Sequence, residues 1–268
     1  MSKPLLRAPR PLIMGIVNVT PDSFSDGGRS TEEAVAHALR LADEGADLLD
    51  IGGESTRPGA EPVPEDEELR RVLPVIERLA GRVRIPLSID TMKPAVAGAA
   101  LGAGARIVND VTALRDPGML PVLLRHRAAV ILMHMRGAPK DMREHTQYAD
   151  VVSEVRDWLV DRAEGARLAG VAEIAIDPGI GFAKTPAQNF VLLRRFAEFT
   201  ATGYPVLAGA SRKSFLGVLE GQAKVEDRLE GSLAAAVIAT LAGAAILRVH
   251  DVAATRRAVA VATAVKES

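Results

Sequence analysis

Eight short apolar runs constrain this 268-residue chain more than any other feature. They fall at residues 12–17, 48–51, 87–89, 107–108, 129–133, 174–176, 206–207 and 245–249. Each is followed by polar, glycine-rich residues and then a stretch with helical periodicity. The mean repeat is about 33 residues, the size of one βα unit. The runs are apolar on both faces, as parallel strands covered by helices on one side and a core on the other must be. Four of them are approached through a glycine that ends a helix: Gly45, Gly102, Gly170 and Gly243. A glycine just past a helix supplies the left-handed residue that turns the chain back.

Between the runs, Ser30 and Glu33 form a candidate capping box, with Ala34, Ala38 and Leu41 following at helical spacing. Residues 67–79 place Leu69, Val72, Leu73 and Ile76 on one face, and 150–168 place Val151, Val155, Leu159 and Arg162 in register. Residues 229–242 are apolar nearly all round, which predicts burial or a subunit interface. Alternating βα units in this number predict a single domain over 1–268, a closed eight-stranded parallel (β/α)8 TIM barrel. An open doubly wound sheet is the alternative. The absence of GxGxxG after the first run argues against it.

Composition narrows the function. The chain has no cysteine, which excludes disulfides, thiolate metal sites and a cysteine nucleophile. Lys plus Arg is 33 and Asp plus Glu is 34, so a basic nucleic-acid footprint is missing and no nucleic-acid partner is expected. No apolar run reaches membrane-spanning length, and the first ten residues lack the apolar segment of a secretory signal. A cytoplasmic location without membrane contact is therefore expected.

In such a barrel, chemistry sits at the C-terminal ends of the strands. Every run ends in a polar or ionisable residue: Asn18, Asp50, Asp90 with Thr91, Asn109 with Asp110, His134, Asp177, Ser211-Arg212-Lys213-Ser214 after Gly209, and Arg248 with His250 and Asp251. Asp50 reads as a structural hydrogen-bond acceptor rather than a catalyst. Asp110 and Asp251 each follow another polar residue and read as supporting or capping groups. Asp22 and Asp26 lie in a glycine-rich segment that reads equally as a solvated turn or a functional loop. His134, between two methionines, reads as a packed core histidine or a ligand contact; His37, His126 and His145 read as surface residues. Arg248, ending an apolar strand, needs a buried anionic partner, either a carboxylate or a ligand. Ser211 to Ser214 read as opening a helix, a ready anion site. With Lys213, Arg248 and His250 near strands seven and eight, one half of the rim suits an anion. Asp90, Asn109 and Asp177 make the other half an acceptor for a polar ring. The pair suits loss of a phosphate-type group from a heterocycle.

Several segments carry a resemblance. MGIVNVTPDSFSDGG at 14–28 and DIGGESTRPG at 50–59 are highly specific; SIDT at 88–91, ND at 109–110, MHM at 133–135, DPG at 177–179, SRKS at 211–214 and RVHDV at 248–252 follow in order. Together they resemble the dihydropteroate synthases, the folate-pathway enzymes inhibited by sulfonamides. The resemblance implies condensation of (7,8-dihydropterin-6-yl)methyl diphosphate with p-aminobenzoate, a Mg2+ cofactor and a homodimer. It implies that Asp177, Asn109, Asp90 and Lys213 hold the pterin and that Met133 and Phe182 supply apolar contacts. It further implies that Arg248, His250, Thr56 and Asn18 bind the diphosphate, with Asn18 as the metal ligand. Ser211, Phe24, Arg57 and Pro58 are implied to receive p-aminobenzoate, and segments 19–29 and 54–64 to close over it. Asp90, Lys213 and Asn18 are the expected catalytic set. A pterin-binding methyltransferase module, which passes a methyl group from methyltetrahydrofolate to a corrinoid protein, is the alternative; it has no use for the Ser211–Lys213 site.

Overall fold

The computed structural model describes residues 4–19, 29–221 and 224–268. Eight strands, β1 (Leu12–Asn18), β2 (Leu48–Gly52), β3 (Leu87–Asp90), β4 (Ile107–Asp110), β5 (Ala129–Met133), β6 (Ile174–Asp177), β7 (Leu207–Ala208) and β8 (Ile246–Val249), pair in parallel in the order β6-β5-β4-β3-β2-β1-β8-β7. The circle closes between β6 and β7: Ile176 bridges Val206 in parallel, and the Ile176 N–H donates to the Pro205 carbonyl at 2.9 Å. The closed barrel expected from the sequence is thus present, and the open sheet is not.

All eight apolar runs are strands. Most extend one or two residues further than the apolar pattern, because ladder pairing continues into the polar rim. Asn18, Asp90, Asn109, Asp110 and Asp177 are therefore strand residues with fixed direction, not loop residues.

The helices are α1 (Arg29–Asp43), α2 (Glu65–Ala80), α3 (Pro94–Gly102), α4 (Met119–His126), α5 (Val151–Leu168), α6 (Pro186–Arg194), the short α7 (Ala197–Thr200) and α8 (Ser214–Gly217), α9 (Leu229–Leu241) and α10 (Val252–Glu267). α1 buries Ala34, Ala38 and Leu41 as its spacing requires; the Ser30 side chain of the expected capping box lies outside the described residues. α5 is capped by Asp150, whose carboxylate accepts from the Val152 N–H at 3.0 Å. α2 is rotated from the expected face: it buries Glu68, Val72, Val75, Ile76 and Leu79, leaving Leu69 and Leu73 half-buried. A charged residue turned inward is what a hydrophobic pattern cannot anticipate. Three of the four helix-ending glycines are left-handed as expected; at the fourth, Gly102 stays in α3 and Gly104 takes that role.

The barrel interior is stratified. Leu6, Met14, Leu48, Ile107, Ala129, Ile131, Ala175, Leu207 and Ile246 fill its N-terminal half. Side chains two residues apart in a strand share a face, so the next inward layer is Asp50, Asn109, Met133, Asp177 and Arg248. The floor is apolar and the rim is charged. Leu6, from the segment before β1, closes the floor; the Glu173 carboxylate accepts from the preceding Leu5 N–H at 2.7 Å. Among the described residues, no helix is long and apolar enough to cross a membrane.

Candidate active site

The most buried part of the rim is an ionic network across three strands. The Arg248 guanidinium on β8 donates from Nε to Asp50 Oδ2 on β2 at 2.6 Å and from Nη2 to Asp90 Oδ2 on β3 at 2.7 Å. Asn109 Nδ2 on β4 donates to the same Asp50 oxygen at 3.0 Å. Asp50 is thus the structural acceptor that the sequence suggested, and it orients two other site residues. The anionic partner that Arg248 needs is supplied by these two carboxylates. One oxygen of each, Asp50 Oδ1 and Asp90 Oδ1, is buried without a partner. Burial pushes the Asp90 carboxyl up to about 7; the Arg248 charge opposes this, and Asp50, Glu68 and Asp110 add to it. Such a carboxyl sits at the threshold between neutral and ionised near neutral pH.

A second group lies at the ends of β6 and β7. Asp177 Oδ1 accepts from the Gly179 N–H at 2.7 Å, which leaves Oδ2 as the acceptor for a ligand. Burial raises its pKa and the Lys213 charge opposes the shift. Lys213 donates to the Ile180 carbonyl and lies 4.3 Å from the centre of the Phe182 ring. Burial lowers its pKa to about 8, against the pull of Asp177. Gly181 is left-handed at φ +86°, and a Cβ there would stand 2.7 Å from Lys213 Cδ. The lysine lies across that glycine. Met133 and Phe182 belong to one apolar patch with Val111, Met135, Met142 and Ala183. Asp90, Asn109, Met133, Asp177, Phe182 and Lys213, the residues that the resemblance assigns to the pterin, therefore lie together on one rim.

Beneath it, His134 is a packed histidine, the first of the two alternatives that its methionine neighbours allow. It is 3% exposed, its ring is edge-on to Trp158 at 5.0 Å, and its Nδ1 is 3.2 Å from Lys184 Nζ. Burial first, then the Lys184 charge, drive its pKa down to about 2, so it remains neutral. Lys184 also donates to the Phe182 carbonyl at 2.9 Å and props the loop after β6 from below. Sequence reasoning missed this buried lysine; its place at the end of an apolar, glycine-rich stretch was the available signal.

The anion half differs from expectation in one respect. Ser211 to Lys213 do not open a helix: the one-turn α8 begins at Ser214 and Lys213 is its N-cap. The helix-dipole argument for Ser211 is corrected accordingly. Ser211 Oγ accepts from the His250 N–H at 3.2 Å and lies 3.1 Å from His250 Nδ1. His250 is pushed down to about 3 by burial and by the Arg248 charge, so it acts as a neutral imidazole rather than a third cation. Arg212, left-handed at φ 57°, donates from Nε to Asp251 Oδ2 at 2.9 Å and ties the loop after β7 to the end of β8. Asp251 and Asp110 are supporting groups as expected; Asp110 accepts from the N–H of Thr112 and of Leu114, each at 2.8 Å.

Around the mouth, Thr56 is half-buried and Arg57 and Pro58 are exposed. Their segment is tethered by the Gly59 N–H, which donates to the Pro139 carbonyl at 2.8 Å. Asn18 ends β1 opposite Gly52, half-buried at the mouth. Phe24, with Asp22 and Asp26, lies outside the described residues. Of the three histidines read as surface residues, His126 and His145 are exposed, whereas His37 is half-buried with Nε2 3.3 Å from the Ile16 carbonyl.

Among the described residues, no three His, Asp or Glu side chains converge as a metal cage. That donor set suits Mg2+ only where a phosphate ligand supplies most of its oxygens, which needs no more than one hard oxygen from the protein. The amide oxygen of Asn18 is such a group.

The model of the pterin binding enzyme family matches residues 14–250. The dihydropteroate synthase of Escherichia coli K12 is 47% identical over 258 residues, covering 95% of this chain and 91% of its own length. The structure of Xanthomonas albilineans dihydropteroate synthase with 4-aminobenzoic acid superposes with a TM-score of 0.91 at 54% identity, covering 97% of this chain and 94% of that one. The same enzyme in complex with 7,8-dihydropteroate gives 0.88 at 52% identity, covering 97% and 95%.

Proposed function

The chain belongs to the dihydropteroate synthases, within the pterin-binding enzymes, and from that membership we propose how its rim performs their reaction. The protein is a transferase of folate synthesis. It joins (7,8-dihydropterin-6-yl)methyl diphosphate to p-aminobenzoate, giving 7,8-dihydropteroate and diphosphate. The methyltransferase alternative has no counterpart among the relatives named above. The observation that carries the reading is the rim itself: Asp177, Asn109 and the Asp50–Arg248–Asp90 network converge at the strand ends beside Lys213 and His250.

In this proposal, Asp177 Oδ2 and Asn109 take the aminopyrimidine edge of the pterin, whose N–H donors match a carboxylate. Met133 and Phe182 cover the ring, and Lys213 donates to its carbonyl side. Arg248, His250, Thr56 and Asn18 bind the diphosphate. The bond between the pterin methylene and the diphosphate oxygen breaks, and its electron pair leaves on the diphosphate. Ionised Asp90 stabilises the cation that develops on the pterin, a fixed charge aimed at the transition state. The lone pair of the p-aminobenzoate amine then forms the C–N bond, and the proton that the nitrogen sheds goes to the released diphosphate. Ser211 faces its carboxylate, while Phe24, Arg57 and Pro58 wall it and exclude water. Mg2+, held by Asn18 when bound with the diphosphate, would neutralise charge on the leaving group.

A homodimer in the cytoplasm completes the proposal. The dimer is supported by an apolar face on the neighbouring helices α9 and α10, where Ile238, Leu241, Val261 and Val265 are 46–67% exposed. Mass spectrometry of the purified protein with both substrates and Mg2+ tests the reaction: dihydropteroate is the expected product. Folded protein that binds pterin yet forms no dihydropteroate from the two substrates would overturn it.

A further inference from the structure

Outside the pterin pocket, the most heavily buried charge is Glu68, in the first full turn of α2. It is 0% exposed, and its Oε1 has no partner. Oε2 accepts from Lys93 Nζ at 2.5 Å, and the same ammonium donates to Glu54. The three residues come from three places that matter to the site. Lys93 lies three residues beyond Asp90 and is the N-cap of α3. Glu54 is the root of the segment that carries Thr56, Arg57 and Pro58. Glu68 belongs to the helix that this segment leads into. Gly53 is pressed on α2: a Cβ there would stand 2.8 Å from Val72 and 3.1 Å from Glu68 Cγ. Arg71 Nη1 donates to the Gly53 carbonyl at 2.7 Å and fastens the same point from the outside. Gly52 in turn packs on Asp90, with a Cβ there 3.3 Å from Asp90 Cβ.

A buried charge on a helix face that would otherwise be aliphatic is costly unless it is paired. A leucine at position 68 would serve packing alone. The pairing instead runs to the ends of β2 and β3, where the segment and Asp90 begin. We propose that Glu68 and Lys93 are positioning residues that hold Glu54, and so set the segment bearing Thr56, Arg57 and Pro58 over the strand end that bears Asp90. The proposal rests on the synthase reading for what that segment does, but not for how it is held. Neither residue touches substrate. Their effect passes through the placement of p-aminobenzoate and the diphosphate relative to the pterin.

The test uses Glu54→Ala, which leaves the buried Glu68–Lys93 pair whole and releases only the segment root. The expected result is a fall of ~10-fold or more in kcat/KM for p-aminobenzoate, since a misplacement of about 1 Å reaches that size. The dissociation constant of 6-hydroxymethylpterin stays within about twofold of wild type, because no pterin contact is touched. Glu54→Gln, which still offers Lys93 an oxygen, recovers most of the loss. Hydrogen exchange supplies a readout free of turnover: amides of residues 55–64 exchange faster in Glu54→Ala, while those of 87–90 do not change. Unchanged exchange at 55–64, or equal losses for p-aminobenzoate and pterin, overturns the proposal. If wild-type protein forms no dihydropteroate, the synthase reading fails alone, and the exchange result still decides the positioning role. Lys93→Met, with Lys93→Arg as its rescue, checks the same link from the other side and is expected to show the same split.

Discussion

Arg248 Nη2 lies 2.7 Å from Asp90 Oδ2, so the proposed diphosphate ligand and the proposed cation stabiliser are one bonded pair. The same guanidinium holds Asp50 at 2.6 Å. Removing it strips two buried carboxylates of their counter-charge at once. Arg248→Ala is therefore expected to lose diphosphate-ester affinity and also about 3–5 kcal/mol of stability, the cost of orphaning a buried charge. Denaturant titration checks the second effect; adding Asp50→Asn to the variant should recover part of it.

In the proposed mechanism Asp90 acts mainly as charge develops, so Asp90→Asn should reduce kcat by about 100-fold or more while the affinity for the pterin diphosphate changes far less. Steady-state kinetics and calorimetry on the same preparation give the two numbers. Equal losses in both contradict the role.

The pH profile follows from two shifted groups. Asp90 is raised to about 7 and Lys213 is lowered to about 8; the proposed mechanism needs the first ionised and the second protonated. The profile of kcat/KM for the pterin diphosphate, which reports the free enzyme, should be a narrow bell with limbs near those values. Lys213→Arg should carry the alkaline limb out of range. Stability has its own sign. Between about pH 4 and 7 the folded Asp90 binds a proton that the unfolded chain has released. Its contribution is therefore present below that window and is lost as pH rises to about 7. In Asp90→Asn that part of the slope disappears.

Gly181 is a position where backbone and site meet. Gly181→Ala forces a side chain into a left-handed residue and drives its Cβ against Lys213. The expected result is about 1–3 kcal/mol of destabilisation, with a fall in kcat/KM larger than that of any surface Gly→Ala control. Normal kinetics would mean that Lys213 is free to act from elsewhere.

Metal removal separates the two halves of the ligand. If Mg2+ is held as proposed, by one Asn18 oxygen and otherwise by the diphosphate, chelation should weaken binding of the diphosphate ester and leave binding of 6-hydroxymethylpterin unchanged. In Asn18→Ala the Mg2+ dependence of ester binding should largely vanish.

Much of this was legible in the sequence, for identifiable reasons. Parallel strands buried on both faces leave continuous apolar runs, so the barrel could be read from their number and spacing. Polar residues at strand ends mark the rim, so Asp90, Asn109, Asp177, Lys213 and Arg248 were found together. Partnership between distant charges was not legible. Nothing local to Arg248 chooses Asp50 and Asp90 over a ligand, since the strands that meet are some 160 to 200 residues apart in sequence. Nothing local separates Glu68 from its acidic neighbours Glu65, Asp66 and Glu67 in the first turn of α2; its inward direction follows from pairing with Lys93, 25 residues further along the chain. A glycine followed by a polar run reads as a helix start at Ser211, but the same pattern describes a loop that folds on its own left-handed residue, here Arg212.

In the proposed mechanism this rim couples loss of diphosphate to capture of the amine. The most direct test measures diphosphate released from the pterin diphosphate by purified protein with Mg2+, with and without p-aminobenzoate. Release that rises with p-aminobenzoate, matches dihydropteroate one for one and collapses in Asp90→Asn is the predicted result. Well-folded protein that binds pterin yet releases no diphosphate when p-aminobenzoate is added would contradict it.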